Sequence, residues 1–299
     1  MSSPKAATTT SKGRTYGLEL PPPDGHKNLW SVTTIIGGGL PKPALVGWGI
    51  KSVAEYAVAN YARLFSMAKA AEGDDDALYG VVSWLKGSPY RERDKKADLG
   101  TLLHSIAEAT ALQKPLPAIS PEVAPLYANH QRFLAEWAPV MEMSEATVYN
   151  VRESYAGTLD FIGRLTGPRV PASLRGKLVM GDYKTGGEID PSNPSNDKGI
   201  YAEAALQMSA YAHGEGVYLA PGTVVTMPAV EAAVAVHITA TGYRVRPVEI
   251  GEQVWRSFRY VRESFRFMEE ISKGVIGEPL VLEQVPVAIA KKRAARKVA

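Results

Sequence analysis

Four short stretches of this chain carry residues that could act together. In "GDYKTG" (181–186), Asp182 and Lys184 are two apart, so on a strand both side chains leave the same face. Asp160 sits between apolar neighbours in "GTLDFIG" (157–163). In "GTLLHSIAE" (100–108), Glu108 follows His104 by one helical turn. Glu203, Gln207 and Tyr211 recur every four residues and make one polar stripe on a helix otherwise rich in Ala, Leu and Met.

Each is ordinary by itself. A D-x-K pair at a strand end is usually a solvated ion pair worth little, and a lone histidine is more often structural than a ligand. Together they describe a different kind of place. If the strands of Asp160 and Asp182 pair, both carboxylates reach one end of a sheet, where they repel unless a cation lies between them. Hard divalent ions such as Mg²⁺ take oxygen ligands. His104 then adds an imidazole ligand, with Glu108 as the partner behind it. Lys184 orients a water and favours negative charge developing on a phosphoryl group. Gln207 and Tyr211 suit hydrogen bonds to phosphates or bases, and a tyrosine ring can stack. Glu145 and Glu153 both precede Asp160 on the expected strand side, and either could serve as an auxiliary acid.

These residues need particular elements to position them. A β-branched run, "LWSVTTII" (29–36), predicts a strand that Gly37, Gly38 and Gly39 break. Helical patterning follows over 44–71, over the acid-led "DDDALYGVVSWLKG", over 91–113 around His104, and after Ser120 as N-cap with Pro121 at the first position. "EATVYNVR", "YAGTLDFIGRL" and "GKLVMGDYK" then read as three strands, the last two antiparallel. A polar Pro/Ser/Asn loop over 190–199 reads as mobile. A helix carrying Gln207 and Tyr211, a hairpin around Thr241 and Gly242, and a closing Arg- and Phe-rich helix complete the order. Gly181, Gly186 and Gly187 are expected to leave the backbone open to a close ligand. Residues 1–27 read as flexible, 28–280 as one domain with a helical N-terminal part, and 281–299 as a basic tail.

Composition narrows the chemistry. There is no cysteine among the 299 residues, which excludes disulfides, thiolate zinc sites and cysteine-held iron–sulfur clusters. The net charge of +3 neither establishes nor opposes nucleic-acid binding. No apolar run reaches the length of a membrane span, and the first residues lack a secretory pattern, so a soluble cytoplasmic protein without membrane contact is expected.

The ordered set "GTLLHSIAE", "GTLDFIG", "GDYKTG" and "QMSAY" resembles the PD-(D/E)XK nuclease superfamily. Within it, the set is most similar to the RecB-like branch of phage exonucleases and CRISPR-associated adaptation nucleases. The resemblance implies an α/β fold with a restriction-endonuclease-like core, a central mixed β-sheet flanked by helices, preceded by a helical N-terminal region. It implies metal-dependent hydrolysis of DNA phosphodiester bonds. His104, Asp160, Asp182 and the backbone carbonyl of Tyr183 would hold Mg²⁺ or Mn²⁺, and Asp160, Asp182 and Lys184 would form the catalytic set. Gln207 and Tyr211 match the QxxxY element, which in the family helps hold DNA. Many relatives carry a four-cysteine iron–sulfur cluster, so this chain would belong to the subset without one. The branch implies an exonuclease processing DNA ends in phage-type recombination, repair or replication, in the host cytoplasm if phage-encoded. A recombination partner or a homo-oligomer is compatible with it. The alternatives are a non-catalytic DNA-binding accessory protein and a structure-selective endonuclease.

Overall fold

A computed structural model describes residues 6–280, apart from the side chains of 92–96. The basic tail therefore lies outside the described residues.

From Ala7 onward, the N-terminal segment expected to be flexible is instead structured. β1 (Ala7–Thr10) and β2 (Gly13–Glu19) form an antiparallel pair that continues onto β3 (His26–Ser31). Tyr16, Leu18 and Leu20 alternate inward and are almost fully buried. This period-two pattern outweighs the Pro- and Thr-rich composition around it. The "LWSVTTII" run also behaves differently from a single strand. Ser31 ends β3 and caps α1 (Val32–Gly39), its hydroxyl accepting from the Thr34 amide at 2.9 Å. A good N-cap here overrides β-branched propensity.

The helical region comprises α2 (Pro43–Ala59), α3 (Tyr61–Ala70), α4 (Asp75–Lys86), α5 (Ser88–Ala111) and α6 (Ala124–Trp137). The single helix expected over 44–71 breaks at Asn60, whose side-chain amide donates to the Tyr56 carbonyl at 2.9 Å. An asparagine side chain that satisfies a terminal carbonyl competes with continuation of the helix.

Next come β4 (Pro139–Asn150), β5 (Tyr155–Leu165), β6 (Val179–Lys184), α7 (Glu203–Ala212), β7 (Gly216–Ala220), β8 (Thr223–Thr226), β9 (Ala232–Thr239), β10 (Gly242–Val248) and α8 (Glu252–Arg266). The strands make one mixed sheet flanked by helices, as expected. β3 with β5 and β6 with β9 are parallel, and the other pairs are antiparallel.

The sheet forks at β5, and the fork positions the site. One edge of β5 runs along β4 for its whole length. The other edge pairs first with β3, ending at Ser31–Ala156, and later with β6, starting at Gly181–Phe161. Residues 157–160 of β5 face the gap between those two partners. One core, with Ile35, Met180, Met208 and Phe258, joins α1, α7 and α8 to one sheet face. A second, with Leu103, Ile106, Phe133 and Val236, joins α5 and α6 to the other.

Two further expectations change. The 190–199 loop is tied down: Asp197 accepts from the Asp190 amide at 2.8 Å and pairs with Arg244 at 2.7 Å and Arg246 at 2.8 Å. Gly181 serves packing rather than an open backbone, because a Cβ there would drive into the Phe161 ring. Gly187, with φ +81°, is likewise backed by the Lys198 carbonyl. No helix among the described residues is long and apolar enough to cross a membrane.

Candidate metal centre

The antiparallel register Phe161–Gly181 continues by one step to place Asp160 across from Asp182. On the other side of β5, the pairs Ser144–Phe161 and Ala146–Leu159 place Glu145 across from Asp160. Three carboxylates thus stand in a row across β4, β5 and β6. Glu145 adopts φ +48°, a left-handed backbone uncommon for any residue with a side chain. Such strain persists only where the surroundings enforce it, and it concentrates at functional sites.

His104 reaches this row from α5. Its Nδ1 lies 3.3 Å from Asp160 Oδ1 and 3.9 Å from Glu145 Oε1. Gly100, one turn earlier, has no side chain to push away Thr185 at the end of β6. One nitrogen of His104 and one oxygen each from Glu145 and Asp160 lie within 4.8 Å of one another. Asp160 Oδ2 accepts from the Tyr183 amide at 2.5 Å. In an extended strand the N–H and C=O of one residue point to the same edge, so the Tyr183 carbonyl faces Asp160 too. The Tyr183 ring turns into the opposite core, 5.3 Å from the His130 ring.

Lys184 Nζ lies 2.6 Å from Asp182 Oδ2, yet that oxygen makes no hydrogen bond. The contact is a close ion pair to a buried carboxylate. Gln207 on α7 ties the group together. Its Nε2 donates to Asp182 Oδ1 at 3.2 Å and to the Tyr211 hydroxyl at 3.3 Å, and its Oε1 accepts from Lys184 at 3.1 Å. Tyr211 is buried against Gly157, where any Cβ would collide with its ring. Its hydroxyl therefore orients Gln207, and its ring is not available for stacking.

The electrostatics are those of a site with excess negative charge. The Asp160 carboxylate raises His104 to about 10, against the opposing effect of burial. Burial pushes Asp160 up, but His104, Lys184 and the Tyr183 amide together hold it below the usual carboxylate range. Burial raises Asp182 to about 6, with Lys184 opposing and Asp160 reinforcing the shift. Burial also raises Glu145, with His104 opposing. In the metal-free protein a proton on His104 supplies the positive charge that the carboxylates need. The oxygen donors of Glu145 and Asp160 beside one imidazole, with Asp182 on the next strand, fit a hard divalent cation.

His104, Asp160, Asp182, Lys184, Gln207 and Tyr211, expected at one site, do line one cavity of about 550 Å³. Glu108 lines it as well, but pairs with Lys114 at 3.3 Å instead of backing His104. Glu145 takes the place beside the imidazole. Glu153, equal to Glu145 in the sequence, is held by Arg259 at 3.2 Å and Arg262 at 3.1 Å, away from the site. Glu203 pairs with Lys42 at 3.5 Å. The N-terminal hairpin adds Arg14 and Tyr16 to the cavity wall, Tyr16 bonding Thr158 at 3.0 Å.

No protein-family model matches this chain, and no curated protein matches it. Among solved structures it is similar to the crystal structure of SSO0001, at 14% identity and a TM-score of 0.28. That similarity covers 48% of this chain and 58% of the other.

Proposed function

We propose that this chain is a Mg²⁺- or Mn²⁺-dependent deoxyribonuclease of the PD-(D/E)XK type, on the RecB-like branch. The observation that carries this is the convergence at the fork in the sheet. Glu145, Asp160 and Asp182 stand on three adjacent strands, His104 faces them, and Lys184 lies 2.6 Å from Asp182. A structural ion pair needs one acid per base and has no use for three carboxylates crowded at a cavity.

His104, Asp160, Asp182 and the Tyr183 carbonyl would hold the ion, with Glu145 as an additional acid ligand. When bound, the ion would polarise a scissile phosphate and acidify a water. The chain's own residues do the rest. An ammonium group has three donors; Lys184 turns one to Gln207 and one to Asp182, which leaves one N–H for a phosphate oxygen or the attacking water. Asp182 and Gln207 hold Nζ where negative charge would develop, so no reorganisation is needed at that moment. Tyr211 fixes Gln207, and burial of Asp160 and Asp182 keeps water from screening the charges. An exonuclease acting on DNA ends follows from the branch analogy.

End-labelled single- and double-stranded DNA, linear and circular, incubated with Mg²⁺, Mn²⁺ or EDTA, tests this. Metal-dependent loss of linear but not circular substrate supports an exonuclease, and cutting of circles makes it an endonuclease. Salt-sensitive binding without hydrolysis under any metal would refute the enzyme and favour a DNA-binding accessory protein.

A further inference from the structure

A second cavity, of about 240 Å³, opens beside the metal centre. It shares Thr33, Lys184 and Gln207 with the first, so the two adjoin at Lys184. Tyr201 stands on the wall of this second chamber and is 69% exposed. Its side chain has no hydrogen bond and no ring partner among the described residues.

The mount beneath Tyr201 is firm. The Glu188 and Lys198 backbones exchange hydrogen bonds of 2.9 Å in both directions. Gly199, at φ +117°, sits flush on the Gly186 carbonyl, where a side chain could not fit. The Tyr201 carbonyl accepts from the Ala204 amide at 3.0 Å as α7 begins. A single exposed tyrosine is ordinary on a protein surface. An unpartnered ring on an anchored stretch of backbone, on the wall of a chamber beside Lys184, is not explained by packing.

The chamber's charge also indicates its occupant. Lys42, on the same wall, is neutralised by Glu203 at 3.5 Å. Away from Lys184 at the shared edge, the wall therefore offers an aromatic face and small apolar surfaces, which suits a nucleobase beside a phosphate held at Lys184. Inside a duplex both faces of a base are already stacked, so an aromatic ring competes well only for an unpaired base. We propose that Tyr201 is the stacking platform for an unpaired nucleobase next to the scissile phosphate. The site then acts on single strands or frayed ends in preference to intact duplex. This rests on the nuclease assignment above, and it adds the substrate class.

The test combines binding and kinetics on the full chain. Anisotropy of a fluorescein-labelled single-stranded oligothymidylate is measured with Ca²⁺ for wild type, Tyr201→Phe, Tyr201→Leu and Tyr201→Ala. Steady-state cleavage of the same strand is measured with Mn²⁺. Loss of one base–aromatic stack predicts binding weaker by about 5- to 150-fold in the Leu and Ala variants, with Phe close to wild type. KM should rise correspondingly while kcat stays within about threefold, and affinity for blunt duplex should change little. Equal binding of the single strand by wild type and Tyr201→Ala overturns the proposal, as does retention in Tyr201→Leu, which would make bulk rather than stacking the cause. Wild type that fails to bind the single strand also overturns it. Wild type that binds through Tyr201 but cleaves nothing overturns the nuclease assignment and leaves the base subsite standing.

Discussion

Glu145 stands directly across β4 and β5 from Asp160, and His104 Nδ1 lies within 3.9 Å of both carboxylates. This relationship makes Glu145 part of the candidate metal centre, where its backbone is also left-handed at φ +48°. Replacement Glu145→Gln removes one negative charge without changing shape. Mn²⁺ affinity measured by isothermal titration calorimetry should fall by about 10- to 100-fold. The parallel change Glu153→Gln, at an acid held by Arg259 and Arg262, should leave metal affinity unaltered.

Metal binding should carry a proton signature. His104 is raised to about 10 by Asp160, and Asp182 to about 6 by burial. Between those values an incoming ion displaces the His104 proton, so affinity for Mn²⁺ should rise about tenfold per pH unit. Calorimetry in buffers of different ionisation enthalpy should count close to one proton released per ion near pH 8. The sign for stability is the opposite. A histidine raised in the folded state stabilises fully below the unfolded value of 6.5, and that contribution disappears as pH climbs towards 10. The melting temperature of metal-free protein should fall over that range, and Mn²⁺ should restore it.

Gly157 leaves the space that the Tyr211 ring fills. The change Gly157→Ala should displace Tyr211, release Gln207 and loosen Lys184. A stability loss of about 1–3 kcal/mol is expected from overpacking, with a larger proportional loss of cleavage. Urea titration and cleavage rate on the same preparation separate the two effects. A normal rate in a destabilised variant would show that Tyr211 does not orient the site.

The α5–α7 side of the site was readable in the sequence because its residues lie in runs with clear periodicity. His104 on a helix, Asp160 and Asp182 on paired strands, and Gln207 with Tyr211 on a helix all reach one cavity. Glu145 was not separable from Glu153, since only the strand register puts one opposite Asp160 and turns the other towards α8. Tyr16 was hidden by a Thr- and Pro-rich neighbourhood, although its alternation with Leu18 and Leu20 was visible. The break of "LWSVTTII" at Ser31 was a contest between a cap and a propensity, which local sequence does not decide. The role of Gly181 depends on the position of the Phe161 ring across the sheet, which is tertiary information.

His130 gives a pH effect separate from the candidate metal centre. Both its ring nitrogens are buried without a hydrogen-bond partner, and burial lowers it to about 4. A histidine depressed in the folded state stabilises fully above the unfolded value of 6.5 and loses that contribution as pH falls towards 4. The expected loss is on the order of 3 kcal/mol. Denaturant titrations at pH 7 and pH 4.5 should show it in wild type and show it reduced in His130→Leu.

The central claim is that Asp182 and Lys184 perform hydrolysis. Cleavage rates of one labelled linear DNA with Mn²⁺ should be compared for wild type, Asp182→Asn and Lys184→Ala, each confirmed as folded by its melting transition. The account predicts that wild type cuts and that both variants are slower by about a hundredfold or more. Cleavage by Asp182→Asn at the wild-type rate would contradict it.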